Sequence, residues 1–318
     1  MKGLILFGDN ESWINHSSWY PTDQLLSVLN KTVLFNNIDL LLRAGVTEIG
    51  IVVESNKKGF VREELKSLQY FKKACIVLIE VPETKCLGKA VLRSRPFLAE
   101  DDFVMIVGNN YCQINLEEAI KFFTESKAQS LVALKETKDT LNYSITVPYH
   151  DEIKAINETS ELSKNSWALA GFYIFQSSIH EIISSQLGRP CEEYEILDWL
   201  QCFISSGKSV KAWFLKGYCR KIKTPRDLLE TNIDLLKLES QNIMRLPYKT
   251  ILSRVNPPVL IDKTAVVLNS VIGPNVIIGR NALVKNSKLE NSLILENSCV
   301  REIRARDIIF TPWGYKEV

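Results

Sequence analysis

The sequence predicts an α/β protein: a Rossmann-like domain with a mixed, mostly parallel sheet, then a short C-terminal left-handed parallel β-helix. Three observations predict it. Apolar runs such as Leu4–Phe7, Ile49–Val53 and Phe103–Val107 are short and bounded by turn or polar residues, as buried strands of a parallel sheet are. Between the first two, Leu34, Ile38, Leu41 and Leu42 share one face of a helix near 32–43, with Gly45 as its stop. Beyond Asn256-Pro257-Pro258 the apolar spacing becomes six, through Ile272, Ile278 and Val284, and continues at Leu289 and Leu295 after a one-residue slip. A hexapeptide spacing of this kind marks a parallel β-helix.

In order, the chain opens on a strand that stops at Gly8, and the loop that follows is Asp9-Asn10-Glu11-Ser12-Trp13. Loops at the carboxyl ends of such strands are where α/β sheets hold ligands. A phosphate cradle there would carry several glycines and a cation, whereas this loop has two carboxylates. A helix is expected over 61–71 and a strand over 76–81. The strand at Phe103 ends in Gly108-Asn109-Asn110. Asn115 with Glu118 then has the spacing of a capping box. Strands are expected at 130–134, 142–147 and 211–216, and at the Trp167–Phe175 run. Thr224, Pro225 and Asp227 start a last helix as N-cap, N1 and N3. The division expected is 1–245 for the α/β domain, 246–258 as linker, 259–303 for the β-helix (two to three coils of about 18 residues) and 304–318 as a tail.

Bulk composition excludes several classes. At 318 residues there is room for one large domain and a smaller module. A net charge of +2 gives no electrostatic case for nucleic acid or an anionic membrane. Seven scattered cysteines with no CxxC pair imply neither a disulfide frame nor a zinc site, so reduced thiols and a cytoplasmic location are expected.

The segments MKGLILFG, DQLLSVLNKTVL and LLLRAGVTEIGIVV resemble the sugar-1-phosphate nucleotidyltransferases, the glucose-1-phosphate thymidylyltransferase type with a C-terminal β-helix in particular. The resemblance covers nearly the whole chain and implies a nucleotidyltransferase α/β domain. Where that family has glycines, this chain has Asp9 and Glu11. Trp13 stands for its arginine, Asp23 for its lysine, and Ser27 for a proline. Cys86-Leu87-Gly88 resembles the nucleobase-side loop. Asn109 and Lys221 stand where the family has its two magnesium-binding aspartates. The resemblance places Gly8, Asp9, Glu11 and Gly88 on the nucleotide side. It places Gly108, Glu158, Gly171, Tyr173 and Glu195 on the sugar side, although Tyr173 alternates within an apolar strand and reads as core before it reads as a ligand contact.

Nucleotidylyl transfer joins two polyanions and needs charge neutralisation above all. The family's glycine nest, its arginine, its lysine and both of its aspartates are replaced, so the expectation is a sugar-nucleotide-binding or regulatory pseudoenzyme, with no cofactor. An active transferase with an unusual site, using magnesium, is the alternative. A repurposed, metal-free enzyme with His16, Asp23 or Lys221 as acid or base is the second. His150 and His180 have no partners at diagnostic spacing. Expected partners are a sugar phosphate or nucleotide sugar, and a second copy of the chain or an active relative.

Overall fold

The computed structural model describes residues 1–6, 25–82, 86–137, 145–157, 166–185, 196–239 and 249–318. The chain opens with β1 (Lys2–Leu6) and then, in the described residues, a hairpin of β2 (Ser27–Val28) and β3 (Lys31–Thr32). Its two turn residues, Leu29 and Asn30, both have positive φ, the geometry that matches the twist of a two-residue hairpin. α1 (Val33–Arg43), β4 (Glu48–Glu54), α2 (Lys58–Ser67) and β5 (Cys75–Val81) follow. The helix expected over 61–71 stops at Ser67, because Gln69 turns left-handed (φ 57°) before a separate 3-10 turn at Tyr70–Lys72. Next come α3 (Leu87–Arg93), α4 (Arg95–Leu98), β6 (Phe103–Val107), β7 (Asn110–Gln113), α5 (Leu116–Ser126) and β8 (Ser130–Thr137). The Asn115–Glu118 capping box does not form: the Asn115 amide donates to the Glu118 side chain (2.9 Å) instead of accepting from the helix backbone. β9 (Ile145–Tyr149), β10 (Glu152–Asn157), β11 (Ser166–Phe175), α6 (Ile179–Ser185), α7 (Ile196–Ser205), β12 (Val210–Phe214) and β13 (Tyr218–Lys221) lead to α8 (Pro225–Leu238). Here the box is made: Thr224 Oγ1 accepts from the Asp227 backbone, and the Asp227 carboxylate accepts from the Thr224 backbone.

Two compact units result, one of Met1–Asn10 with Leu34–Lys221, the other of Glu11–Val33 with Ile222–Val318. The first is built on a nine-stranded sheet ordered β5-β4-β1-β6-β11-β8-β12-β10-β9. Pairing is parallel from β5 to β6 and between β8 and β12; β11, β10 and β9 enter antiparallel. The mixed sheet is therefore the expected one. Strand alternation assigns the faces. Leu4 and Leu6 join Met105, Phe175 and the α7 residues Trp199 and Phe203 in one core. Gly3 turns the other way, where a Cβ would lie 2.8 Å from Leu41 of α1. No helix among the described residues is long and apolar enough to cross a membrane.

The second unit is a parallel β-helix with a helix and a hairpin attached. Its first coil is β14 (Lys249–Ile251), β15 (Arg254–Val255) and β16 (Val259–Ile261), and its second β17 (Val266–Leu268), β18 (Val271–Ile272) and β19 (Val276–Ile278). The third is β20 (Leu283–Lys285), β21 (Lys288–Glu290) and β22 (Ser292–Ile294). β23 (Cys299–Arg301), β24 (Arg304–Arg306) and β25 (Ile308–Thr311) form the fourth. β26 (Gly314–Glu317) folds back antiparallel on β25. The parallel sheets thus begin inside the expected linker and run through the expected tail, giving four coils rather than two to three. Each coil is shorter than 18 residues: Val266 pairs with Leu283, and Leu283 with Cys299. Val267, Ile272, Ile278, Val284, Leu289 and Ile294 project inward into one aliphatic core, so the inward residue of the third coil is Ile294 rather than Leu295.

α8 belongs to this unit, not to the α/β domain expected to run to 245, because it packs on β2, β22 and β25. Its buried Asn232 accepts from the Leu29 backbone (2.9 Å) and donates to the carbonyls of Ser27 (3.2 Å) and Leu228 (2.9 Å), fastening hairpin to helix. Leu289 is fully buried in the aliphatic core. Leu289→Ala is expected to lower the unfolding free energy by about 2–5 kcal/mol, read as a shifted midpoint in chemical denaturation followed by circular dichroism.

Candidate functional site

The site residues that can be placed are carried by the end of β6 and by the two-stranded ribbon of β7 and β13. β6 is buried along its whole length. Its pairing with β1 continues one step beyond the strand, where the Gly108 N–H donates to the Leu6 carbonyl (2.8 Å). The chain then turns at Asn109 into β7. β13 pairs antiparallel with β7, with Lys221 opposite Asn110, Arg220 opposite Tyr111, Cys219 opposite Cys112 and Tyr218 opposite Gln113. That register puts Lys221 across from the neighbour of Asn109. It therefore brings Lys221 close to Asn109 along the two-stranded ribbon.

Several contacts fix this turn. Asn109 and Asn110 are both buried. The Asn110 side-chain amide donates to the Val107 carbonyl (2.8 Å), and more loosely to the Asn109 side-chain oxygen (3.4 Å). From α1, the buried Asn37 reaches the Gly108 carbonyl (3.4 Å) and Asn36 the Cys112 carbonyl (3.2 Å). Gly171 completes the packing. It lies where the β11–β8 register shifts between Leu169 and Tyr173, with φ +79°. A Cβ there would sit 2.2 Å from the Asn110 amide nitrogen, so only glycine fits.

The two placed groups, Asn109 and Lys221, are not the carboxylates that magnesium favours. That ion takes hard oxygen ligands, carboxylates foremost, in octahedral geometry. Asn109 offers a neutral amide oxygen that is already a hydrogen-bond acceptor, and Lys221 carries positive charge. Among the described residues no three His, Cys, Asp or Glu side chains cluster as a metal site.

Other expected site residues fall elsewhere. Gly8, Asp9, Glu11, Trp13, His16, Asp23, Glu158 and Glu195 lie outside the described residues. Gly88, expected on the nucleotide side, is buried in helix packing. A Cβ on it would come within 3.2 Å of Trp199 and Ile183. Tyr173, expected on the sugar side, is a core residue, its ring stacked on Phe175 with centroids 5.9 Å apart. His150 sits in an exposed turn. His180 is buried, its ring parallel to Phe103 at 5.9 Å, and neither ring nitrogen has a hydrogen-bond partner. Burial holds its imidazole below the ordinary value; the Arg95 charge pushes the same way and Glu100 opposes. Sequence reasoning passed over Asn36, Asn37 and Asn110, although two amides inside an apolar helix are themselves a signal. It also passed over the disulfide joining Cys112 to Cys219, where free thiols were expected. Had β7 and β13 been paired through Asn110 and Lys221, these cysteines would have fallen opposite each other.

Comparison with known proteins bears on the fold and the family. Residues 19–237 match the model of the nucleotidyl transferase family. A glucose-1-phosphate thymidylyltransferase of Streptomyces griseus is 28% identical over 86% of this chain and 77% of its own length. One from Streptomyces antibioticus is 26% identical over 74% and 67%. A UDP-glucose pyrophosphorylase solved with UDP-glucose superposes with a TM-score of 0.63 at 20% identity, covering 75% of this chain and 99% of that one; at that identity the likeness speaks for the fold. The chain belongs to the nucleotidyl transferase family. Within it, the relatives are sugar-1-phosphate nucleotidyltransferases.

Two tests follow from the geometry. Gly171→Ala is expected to destabilise the protein by about 2 kcal/mol or more, through left-handed backbone strain and the clash with Asn110. Asn110→Ala in the same chain should recover part of that loss in a double-mutant cycle of denaturation midpoints. For His180 the unfolded ring titrates near the ordinary value of 6.5 and the folded ring lower, so the unfolded state binds more protons between the two. Stability is therefore full above about pH 6.5 and falls as the pH drops below it. Melting temperatures from pH 5 to 8 should show that decline in the wild type, and a shallower one in His180→Phe.

Proposed function

We propose that this chain binds a nucleotide sugar or sugar phosphate through the nucleotidyl transferase fold without carrying out magnesium-dependent nucleotidylyl transfer, and that it acts as a regulatory or sugar-nucleotide-binding protein. The observation that carries the reading is the β7–β13 register, with Lys221 across from Asn110 and beside Asn109. A lysine at this place repels the divalent ion that the family's aspartates attract. Two unit charges at about 4 Å interact by about 4 kcal/mol at an effective dielectric near 20. The same charge attracts a phosphate, so the lysine stands in for the cation in binding, though not as a Lewis acid. The replacements at Asp9, Glu11, Trp13 and Asp23 argue in the same direction from sequence. Association with a second copy, or with an active relative, belongs to this reading as the route by which a bound ligand would have an effect.

Purified protein given magnesium, glucose-1-phosphate and either dTTP or UTP is expected to release no pyrophosphate above background. Steady turnover would instead establish an active transferase with an unusual site. Calorimetry with dTDP-glucose is expected to give the same affinity with magnesium and with chelator, and Lys221→Ala should weaken it about tenfold, or about 1.4 kcal/mol. Binding that strictly requires magnesium would sink the proposal.

A further inference from the structure

We propose that Cys112 and Cys219 are a reversible thiol–disulfide clasp that controls how firmly β7 and β13 hold the Asn109–Lys221 site closed. The ligand part of this inference rests on the binding role proposed above; the chemistry of the clasp does not.

Position is the first argument. β7 and β13 form a sheet of two strands, with no third strand in it among the described residues. A two-stranded ribbon is marginal by itself, and this one has four paired positions. The disulfide occupies one of the inner pairs. It lies two residues after Asn110 on β7 and two before Lys221 on β13. The cysteines are 107 residues apart in sequence, so the bond ties together parts of the first unit that the chain itself does not hold. β13 is also the last element of that unit before the chain enters the other at Ile222.

The anchoring of β7 is the second argument. β7 follows directly from the buried β6 and is held by the Gly108–Leu6, Asn37–Gly108 and Asn36–Cys112 hydrogen bonds. β13 is tied to its surroundings by the Lys135 ammonium, which donates to the Cys219 carbonyl (3.5 Å), and Cys219 Sγ lies 3.7 Å from the Ala170 carbonyl of β11. Opening the disulfide therefore removes the covalent tie between the strand that carries Lys221 and the firmly held β7.

Access is the third. The Cys112 residue is fully buried and Cys219 half-buried. Exchange proceeds at the sulfur a thiolate can reach. A dithiol reductant attacks Cys219 Sγ, the S–S bond breaks, and Cys112 leaves as a thiolate that takes up a proton. The second thiol of the reductant then closes on the mixed disulfide, releasing Cys219 as a thiol and the reductant as its cyclic disulfide. Two electrons and two protons pass to the protein, and a disulfide oxidant reverses the exchange.

The test uses the full chain after treatment with oxidised glutathione or with dithiothreitol. Iodoacetamide labelling with peptide mass spectrometry is expected to find Cys112 and Cys219 blocked in the oxidised protein and both labelled after reduction. Amide hydrogen exchange at 218–221 should accelerate at least tenfold on reduction, with 103–107 unchanged. The affinity for dTDP-glucose should fall about tenfold. Cys219→Ser should match the reduced wild type and not respond to dithiothreitol. Labelling of both cysteines in the oxidised protein, or unchanged exchange at 218–221 after reduction, would overturn the clasp. If labelling and exchange behave as expected but neither form binds dTDP-glucose, the clasp stands and the binding role falls.

Discussion

The geometry of the site depends on one close approach, the Asn110 amide lying where a side chain at 171 would otherwise be. A carboxamide cannot be buried without partners at small cost. Asn110 meets that requirement by donating to the Val107 carbonyl, which the tight turn after β6 leaves within reach. The turn in turn fixes the register of β7, and β7 fixes that of β13. On the opposite side, β11 must bulge to make room, and a glycine at φ +79° is what the bulge uses. The position of Lys221 is thus set by a chain of contacts that starts at a glycine on another strand.

That ordering separates scaffold from chemistry. The mixed sheet belongs to a fold that a UDP-glucose pyrophosphorylase solved with UDP-glucose shares. In the binding role proposed above, the charge at its centre is inverted. A cation held by two carboxylates and a lysine occupying that place can look alike to a phosphate, yet only the first can polarise a leaving group from several sides.

Much of the architecture was legible because its signals are local. The box at Thr224 and Asp227 needs four adjacent residues and nothing else, and it forms. The same spacing at Asn115 and Glu118 did not suffice, since the amide donates to the glutamate side chain instead of accepting from the backbone. Counting by six found the β-helix but miscounted its coils. Inward residues step by five as well as six, from Val267 to Ile272, then Ile278 and Val284, then Leu289. What lengthens or shortens a step is the turn, where Asn269, Asn275, Asn281, Asn286, Asn291 and Asn297 all take positive φ. Their amides stack coil on coil, Asn269 on Asn286 at 3.0 Å and Asn275 on Asn291 at 2.8 Å. The recurring Asn-Ser pairs were the visible mark of those turns. Gly88 and Tyr173 were assigned by family position; the alternation of the Trp167–Phe175 strand already marked Tyr173 as core, whereas the burial of Gly88 against α6 and α7 is set by tertiary packing that no local pattern reports.

The seat of the hairpin at Ser27–Thr32 has a consequence for how the molecule comes into being. Its partner, Asn232, lies about two hundred residues downstream. As the chain leaves the ribosome, residues 34–221 emerge whole and can close their sheet first, as domains made early generally do. The hairpin must meanwhile wait, exposed, through the synthesis of an entire neighbour. The smaller unit is completed last, by a loop closure that spans the larger one.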